Sequence, residues 1–187
     1  MSRTAVFIDG AYLDHILRDD CAGFRLDYAH FSDRLAEGKE TLRTYYYNCL
    51  PYQSNPPTAE ERERFGKAQR FTQRLSRLPR YEVRLGALQY KGVERESGRK
   101  IFVQKRVDIL LGVDLVLLAA KHQIIDAALV AGDSDFLPAV KAAKDEGVSV
   151  RLYHGRTSPP HNELWEAADE RTLITLAFLE GLARADR

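Results

Sequence analysis

AALVAGDSDFLPAVKAAKDEGVSVRLYHG, residues 127–155, reads as strand, helix and strand with a pair of acids at the first turn. AALVAGD at 127–133 is a short apolar run ending on Asp133. FLPAVKAAKDEG is helical, with Pro138 tolerated in its first turn and Gly147 ending it, and VSVRLYHG at 148–155 is again β-branched and apolar. Strands that read as continuous apolar runs separated by a helix belong to a parallel sheet covered on both faces, joined by right-handed crossovers.

The same pattern extends upstream. TAVFIDG (4–10), LRTYYYNCL (42–50) and YEVRLGALQY (81–90) are further strand candidates, so the class is α/β. After two prolines, Thr58 with Glu61 three positions later forms a capping box that starts a helix. Ala68, Phe71, Leu75 and Leu78 form its apolar stripe, and Lys67, Arg70, Arg74 and Arg77 form a basic stripe at the same spacing. Residues 91–106 read as a hairpin tip around Ser97 and Gly98 leading into the strand IFVQK. The segment 107–123 is apolar on nearly every side, as for a helix covered by its neighbours. Residues 161–184 read as one or two closing helices whose Leu173, Ile174, Leu176, Phe178, Leu179 and Leu182 pack on the core or on a second copy, so a homodimer through them is one expectation.

At 187 residues the chain fits one domain, 1–187, with the basic helix and hairpin at 58–106 as an insertion. Hydrophobic residues at 44% and charged residues at 29% match a folded chain and not a disordered one. Cys21 and Cys49 are too few for a disulfide framework and lack zinc-site spacing, which favours a reducing, cytoplasmic setting. No apolar run is long enough for a signal core or a membrane span. The net charge of +1 conceals an asymmetry: residues 60–106 carry 14 Lys and Arg against 6 Glu, and the rest carries 14 against 21 acids. A basic segment beside an acidic remainder suits a polyanion-facing surface, or else a solvated mixed-charge face.

Ligands of open parallel sheets bind outside the carboxyl ends of the strands. Asp9 and Asp133 are each the first acid reached as a strand ends there. A helix leading into a parallel strand begins at the same edge, which adds Asp108. Asp135 follows Asp133 by two residues, and Asp114 lies roughly 9 Å beyond Asp108 along the helix. Two carboxylates about 4 Å apart repel by about 4 kcal/mol at an effective dielectric of about 20, so such a group calls for a counter-charge. Oxygen-only ligands suit Mg²⁺ or Mn²⁺, and such ions serve phosphodiester hydrolysis. Competing roles exist for three acids. Asp135 can cap the helix that begins at Phe136, and Asp108 can stabilise its own helix N-terminus. Asp114, among Leu110, Leu111, Val113, Leu115 and Val116, needs either the site or a hydrogen-bonded partner. The five histidines show no metal-ligand spacing and read as surface residues.

VFIDG with Leu13, QKRVDILLGVDLVLLA and LVAGDSDFLPAV, in that order over residues 4–153, resemble the NYN domains, which are PIN-like ribonucleases. The resemblance implies a doubly wound, mostly parallel five-stranded sheet whose carboxylates gather Mg²⁺ or Mn²⁺ and cleave RNA. It assigns Asp9, Asp108, Asp114, Asp133 and Asp135 to the site. Beside that assignment, the basic stripe Lys67, Arg70, Arg74, Arg77 with Lys105 and Arg106 is expected on the RNA backbone from its charge and spacing. Many NYN domains carry an asparagine three residues after the first aspartate. Here Tyr12 stands in that place, and a phenol there can stack on a base or donate a hydrogen bond. Tyr45, Tyr46 and Tyr47 are read as strand packing. Two other readings stay open: a catalytically inactive RNA-binding or regulatory module of the same fold, and a haloacid-dehalogenase-type phosphatase, disfavoured because Ala11 occupies the place of that chemistry's second acid.

Overall fold

The computed structural model describes residues 3–94 and 100–185, with the backbone alone for 100–105. Strands β1 (Arg3–Asp9), β2 (Glu40–Cys49), β3 (Tyr81–Val93), β4 (Lys100–Lys105), β5 (Asp126–Val130), β6 (Ser149–His154) and β7 (Glu170–Leu173) form one sheet in the order β4-β3-β2-β1-β5-β6-β7. Among the described residues six strands run parallel and β4 pairs antiparallel with β3. The α/β, largely parallel architecture expected from residues 127–155 is therefore present, with seven strands in place of five. The hairpin tip at Ser97 and Gly98 lies outside the described residues.

Alternation along the strands divides the interior into two layers. Ala5 and Phe7 of β1, Tyr45 and Tyr47 of β2, and Leu129 of β5 face α4 (Val107–Ala120), α5 (Leu137–Asp145) and α6 (Asn162–Ala167). Val6, Ile8, Tyr46 and Val130 face α1 (Gly10–His15), α2 (Tyr28–Ala36) and α3 (Ala59–Leu75). The three consecutive tyrosines are thus core residues, all at least 93% buried, as strand packing requires. The capping box forms as read: Glu61 N–H donates to Thr58 Oγ1 and Thr58 N–H to the Glu61 carboxylate.

Two expectations fail. The C-terminal segment holds one short helix, α6, and then β7, where one or two closing helices were expected. β6 would otherwise leave an open edge, and pairing with it outweighs the helical tendency of a four-residue segment. Ile174, Leu179 and Leu182 then fold onto the α1 and α2 layer, so these side chains serve the chain's own core, and the described residues after α6 form no helix through which a dimer was expected. The second correction concerns α4. Its outer face exposes Ile109, Val113 and Leu117, at 69%, 49% and 47%, one above another at i, i+4 and i+8, so the helix is covered on its inner side only.

At the amino edge of the sheet a buried polar knot ties three strands together. Asp126 receives Thr4 Oγ1 at 2.7 Å, Arg151 Nη2 at 2.6 Å and Lys39 Nζ at 2.9 Å, and Arg151 also meets Glu37. Burial alone would raise the Asp126 pKa, but these donors hold it below its usual value. No helix of the described residues is long and apolar enough to cross a membrane.

Candidate active site

β1 neighbours β2 on one side and β5 on the other, so the chain's connections diverge at the carboxyl ends of β1 and β5, where open sheets form a crevice. Asp9 ends β1 and caps α1: its Oδ1 accepts the N–H groups of Ala11 at 3.0 Å and Tyr12 at 3.2 Å. Burial raises its pKa to about 6 against these two hydrogen bonds, and the charges of Asp108 and Asp133 push in the same direction. Asp108, in the first turn of α4, is raised by burial and then by Asp133 and Asp135. These four carboxylates therefore share one electrostatic environment.

The turn after β5 resolves one of the competing roles. Asp133 Oδ1 accepts the Asp135 N–H at 3.0 Å and caps a short 3₁₀ turn, Ser134–Phe136, from which α5 continues. The capping role considered for Asp135 falls to Asp133, and Asp135 faces Asp108 across the end of α4.

Asp114 stands apart. Its Oδ2 accepts the Tyr47 hydroxyl at 2.9 Å and the Arg84 Nε–H at 3.3 Å, in the layer between α4 and the β2–β3 pair. Burial and then the Asp114 charge keep the Tyr47 phenol protonated and donating. This is the hydrogen-bonded alternative that the sequence left open for a carboxylate among leucines and valines.

Two recesses flank the carboxylates. One, of about 510 Å³, is lined by Asp9, Tyr12, His15, Asp133, Ser134 and His161. The other, of about 730 Å³, is an apolar groove between α4 and α5 that carries Arg106, Asp108 and Asp135 at its end. Tyr12 does more than line the first recess. Its hydroxyl donates to Ser158 O at 2.7 Å and accepts the Gly155 N–H at 3.2 Å, while its ring lies where a side chain on Gly132 would have to go. Asp20 accepts the N–H groups of Arg156 at 2.6 Å and Thr157 at 3.0 Å, so the loop after β6 is also fixed against the helical turn Ile16–Asp20 that continues α1. That loop carries His161 to the cleft; the residue is exposed, as a surface histidine was expected to be, but it lines the recess beside Asp9 and Asp133. His15 was legible in principle: it lies three residues after Tyr12 on the helix that Asp9 caps. Arg18 donates to its Nδ1 at 2.6 Å, which leaves the proton of a neutral ring on Nε2.

The basic residues are spread more widely. Arg106 is exposed at the start of α4 beside Asp108 and Asp135, whereas the Lys105 side chain lies outside the described residues. α3 runs antiparallel to the strands, so from Lys67 to Arg77 its exposed cations recede by about 15 Å from the carboxyl edge. Lys67 is the member nearest the site and pairs with Glu63 at 2.7 Å; Arg74 lines a separate recess with Leu26 and Asp27.

Among the described residues no three His, Cys, Asp or Glu side chains already stand in a geometry ready to hold a metal ion. The donor chemistry nevertheless fits a hard divalent cation: four carboxylate side chains, two of them raised by burial and mutual repulsion.

Comparison with known proteins agrees with this architecture. The family model described as NYN domain matches residues 3–176, nearly the whole chain. A crystal structure of a protein of unknown function from Vibrio parahaemolyticus is 20% identical, with a TM-score of 0.58 over 92% of this chain and 93% of that one, which establishes a shared fold. The Plasmodium falciparum nicotinic acid mononucleotide adenylyltransferase complexed with NaAD aligns at 12% identity and a TM-score of 0.32, covering 94% and 75%, too low a likeness to carry an argument. No curated protein matches.

Proposed function

The chain belongs to the NYN domain family, and we propose from this that it hydrolyses RNA phosphodiester bonds with Mg²⁺ or Mn²⁺ held by Asp9, Asp108, Asp133 and Asp135. The observation that carries the proposal is the gathering of four carboxylates, of which Asp9 and Asp108 are raised by burial and mutual repulsion, at the switch point of a parallel sheet. A divalent cation bound there would lower the pKa of a water and neutralise charge on the phosphate. The protein's own contribution is positioning. Two backbone N–H groups fix Asp9 Oδ1, the Asp135 N–H fixes Asp133, and Tyr12 with Asp20 holds the wall of the cleft. His15, through Nε2–H, and Arg106 offer donors to phosphate oxygens beside the carboxylates. Asp114 is given a structural role in this reading.

The exposed cations Lys67, Arg70, Arg74 and Arg77 also suit a second reading, an RNA-binding module without catalysis. Incubation of labelled single-stranded and structured RNA with the purified protein, with Mn²⁺, with Mg²⁺ or with EDTA, separates the two. The nuclease reading expects cleavage only with a divalent ion. The binding reading expects intact RNA and an affinity that falls steeply with salt.

A further inference from the structure

α1 separates the aspartate cleft from another recess, enclosed by α1, the end of β2 and α3, of about 440 Å³. That volume lies within the range of about 300–1,000 Å³ common for small-ligand sites. Tyr28, Phe71 and Pro51 form its apolar wall, and Asp14, Asn48 and Lys67 bring polar groups to it. The wall is held in place by buried Glu61, which accepts the N–H groups of Ser54 at 3.1 Å and Thr58 at 3.0 Å and so fixes the β2–α3 connection.

The polar groups are placed for recognition. Asn48 Oδ1 accepts the Cys49 N–H at 2.8 Å, and one Nδ2 hydrogen goes to the Tyr46 hydroxyl at 2.9 Å, leaving the other without an acceptor among the described residues. Gly10 allows this close approach, since a side chain there would strike Tyr46 and Asn48. The Asp14 carboxylate reaches solvent at the mouth of the recess and accepts no hydrogen bond from any described residue. Protein crowding it raises its pKa to about 6, ahead of the opposing charges of His15 and Arg18. Asp14 follows Asp9 by five residues, a rise of about 7.5 Å along a helix, so the recess adjoins the carboxylate centre.

We propose that this recess takes a guanine base of the bound RNA strand, with the Asp14 carboxylate accepting N1–H and N2–H and the remaining Asn48 amide hydrogen donated to O6. An ionised carboxylate accepts two parallel donors and offers none. Guanine alone among the four bases presents two adjacent N–H donors followed by a carbonyl. Adenine and cytosine place a ring acceptor beside their amino group, and uracil flanks its single N–H with two carbonyls, so each sets an acceptor against the carboxylate. Unstacked bases of single-stranded RNA are bound in this way, on their edges and against aromatic walls. The proposal rests on the reading that the chain handles RNA.

Metal-free protein, in which hydrolysis plays no part, is titrated with the 5′-monophosphates of guanosine, adenosine, cytidine and uridine and followed by NMR. Guanosine monophosphate is expected to bind about tenfold or more tightly than the others, the scale of one bidentate base contact. Asp14→Asn, which removes no hydrogen bond within the protein, is expected to keep the fold and abolish that preference. Equal affinities for the four nucleotides, absence of binding up to millimolar concentrations, or a preference unchanged in D14N would overturn the proposal. A protein that cleaves RNA without a guanine preference refutes this assignment and leaves the nuclease reading intact. A guanine preference without hydrolysis supports the assignment and refutes the nuclease reading.

Discussion

Replacing Asp9 by Asn should stabilise the metal-free protein, and only above the acid range. Burial, reinforced by the charges of Asp108 and Asp133, lifts this carboxyl from 3.8 to about 6. The folded state thus holds a proton that the unfolded chain releases near pH 4. Between those values the folded state binds more protons, so stability falls as pH rises, and the loss is complete once pH passes the folded pKa. Two pKa units at about 1.36 kcal/mol each amount to an upper bound of about 3 kcal/mol. Asparagine does not titrate, and its Oδ1 still accepts the Ala11 and Tyr12 N–H groups, so the cap survives. For a chain of this size about 1 kcal/mol shifts Tm by roughly 2–4 °C, which gives a gain of up to about 10 °C. Thermal unfolding in EDTA is expected to show the smallest gap between D9N and wild type near pH 4 and the full gain by pH 7.5. Mn²⁺ at about 1,000-fold excess over Kd should reverse the order, since it stabilises only the protein that binds it, by about 4.1 kcal/mol. A constant gap across pH, or a variant less stable than wild type at pH 7.5 without metal, would refute the reasoning.

Other substitutions separate site from scaffold. Asp114→Ala removes the acceptor of Tyr47 and Arg84 and should cost about 1.5–3 kcal/mol in denaturant unfolding while RNA cleavage per folded molecule persists; loss of turnover without loss of stability would return Asp114 to the catalytic group. Asp126→Ala leaves Arg151, 2% exposed, with Glu37 as its one charged partner among the described residues, and should destabilise by about 3 kcal/mol or more, read from the urea midpoint at constant slope. Arg106→Glu sets a negative charge beside Asp108 and Asp135 and should weaken RNA binding and flatten its salt dependence, whereas Arg77→Glu, at the remote end of the α3 stripe, should do little.

What the sequence made legible follows from where its signals are local. An apolar run that ends on an acid is visible residue by residue, and both Asp9 and Asp133 emerge at the strand ends where such runs place them. The Thr58 box is equally local, since its two hydrogen bonds span three residues. Asp114 was ambiguous because helical position fixes a direction but not what a neighbouring strand presents there; Tyr47 and Arg84 come from β2 and β3, at sequence separations of 67 and 30. β7 escaped notice because four residues acquire strand geometry only from pairing with β6. His161 and Asn48 became interesting only once the loop after β6 closed on Tyr12 and the end of β2 met α1. The exposed ladder on α4 was hidden by composition, since Ile109 and Val113 look like core on any hydropathy scale.

The most direct measurement compares wild type with the Asp9→Asn/Asp133→Asn double variant on end-labelled RNA in Mn²⁺, with folded fractions matched by circular dichroism. Cleavage by the wild type that stops with EDTA and falls to the no-protein level in the double variant is the expected result. Equal product from wild type and variant, or product that persists in EDTA, would contradict a carboxylate-held metal centre that hydrolyses RNA.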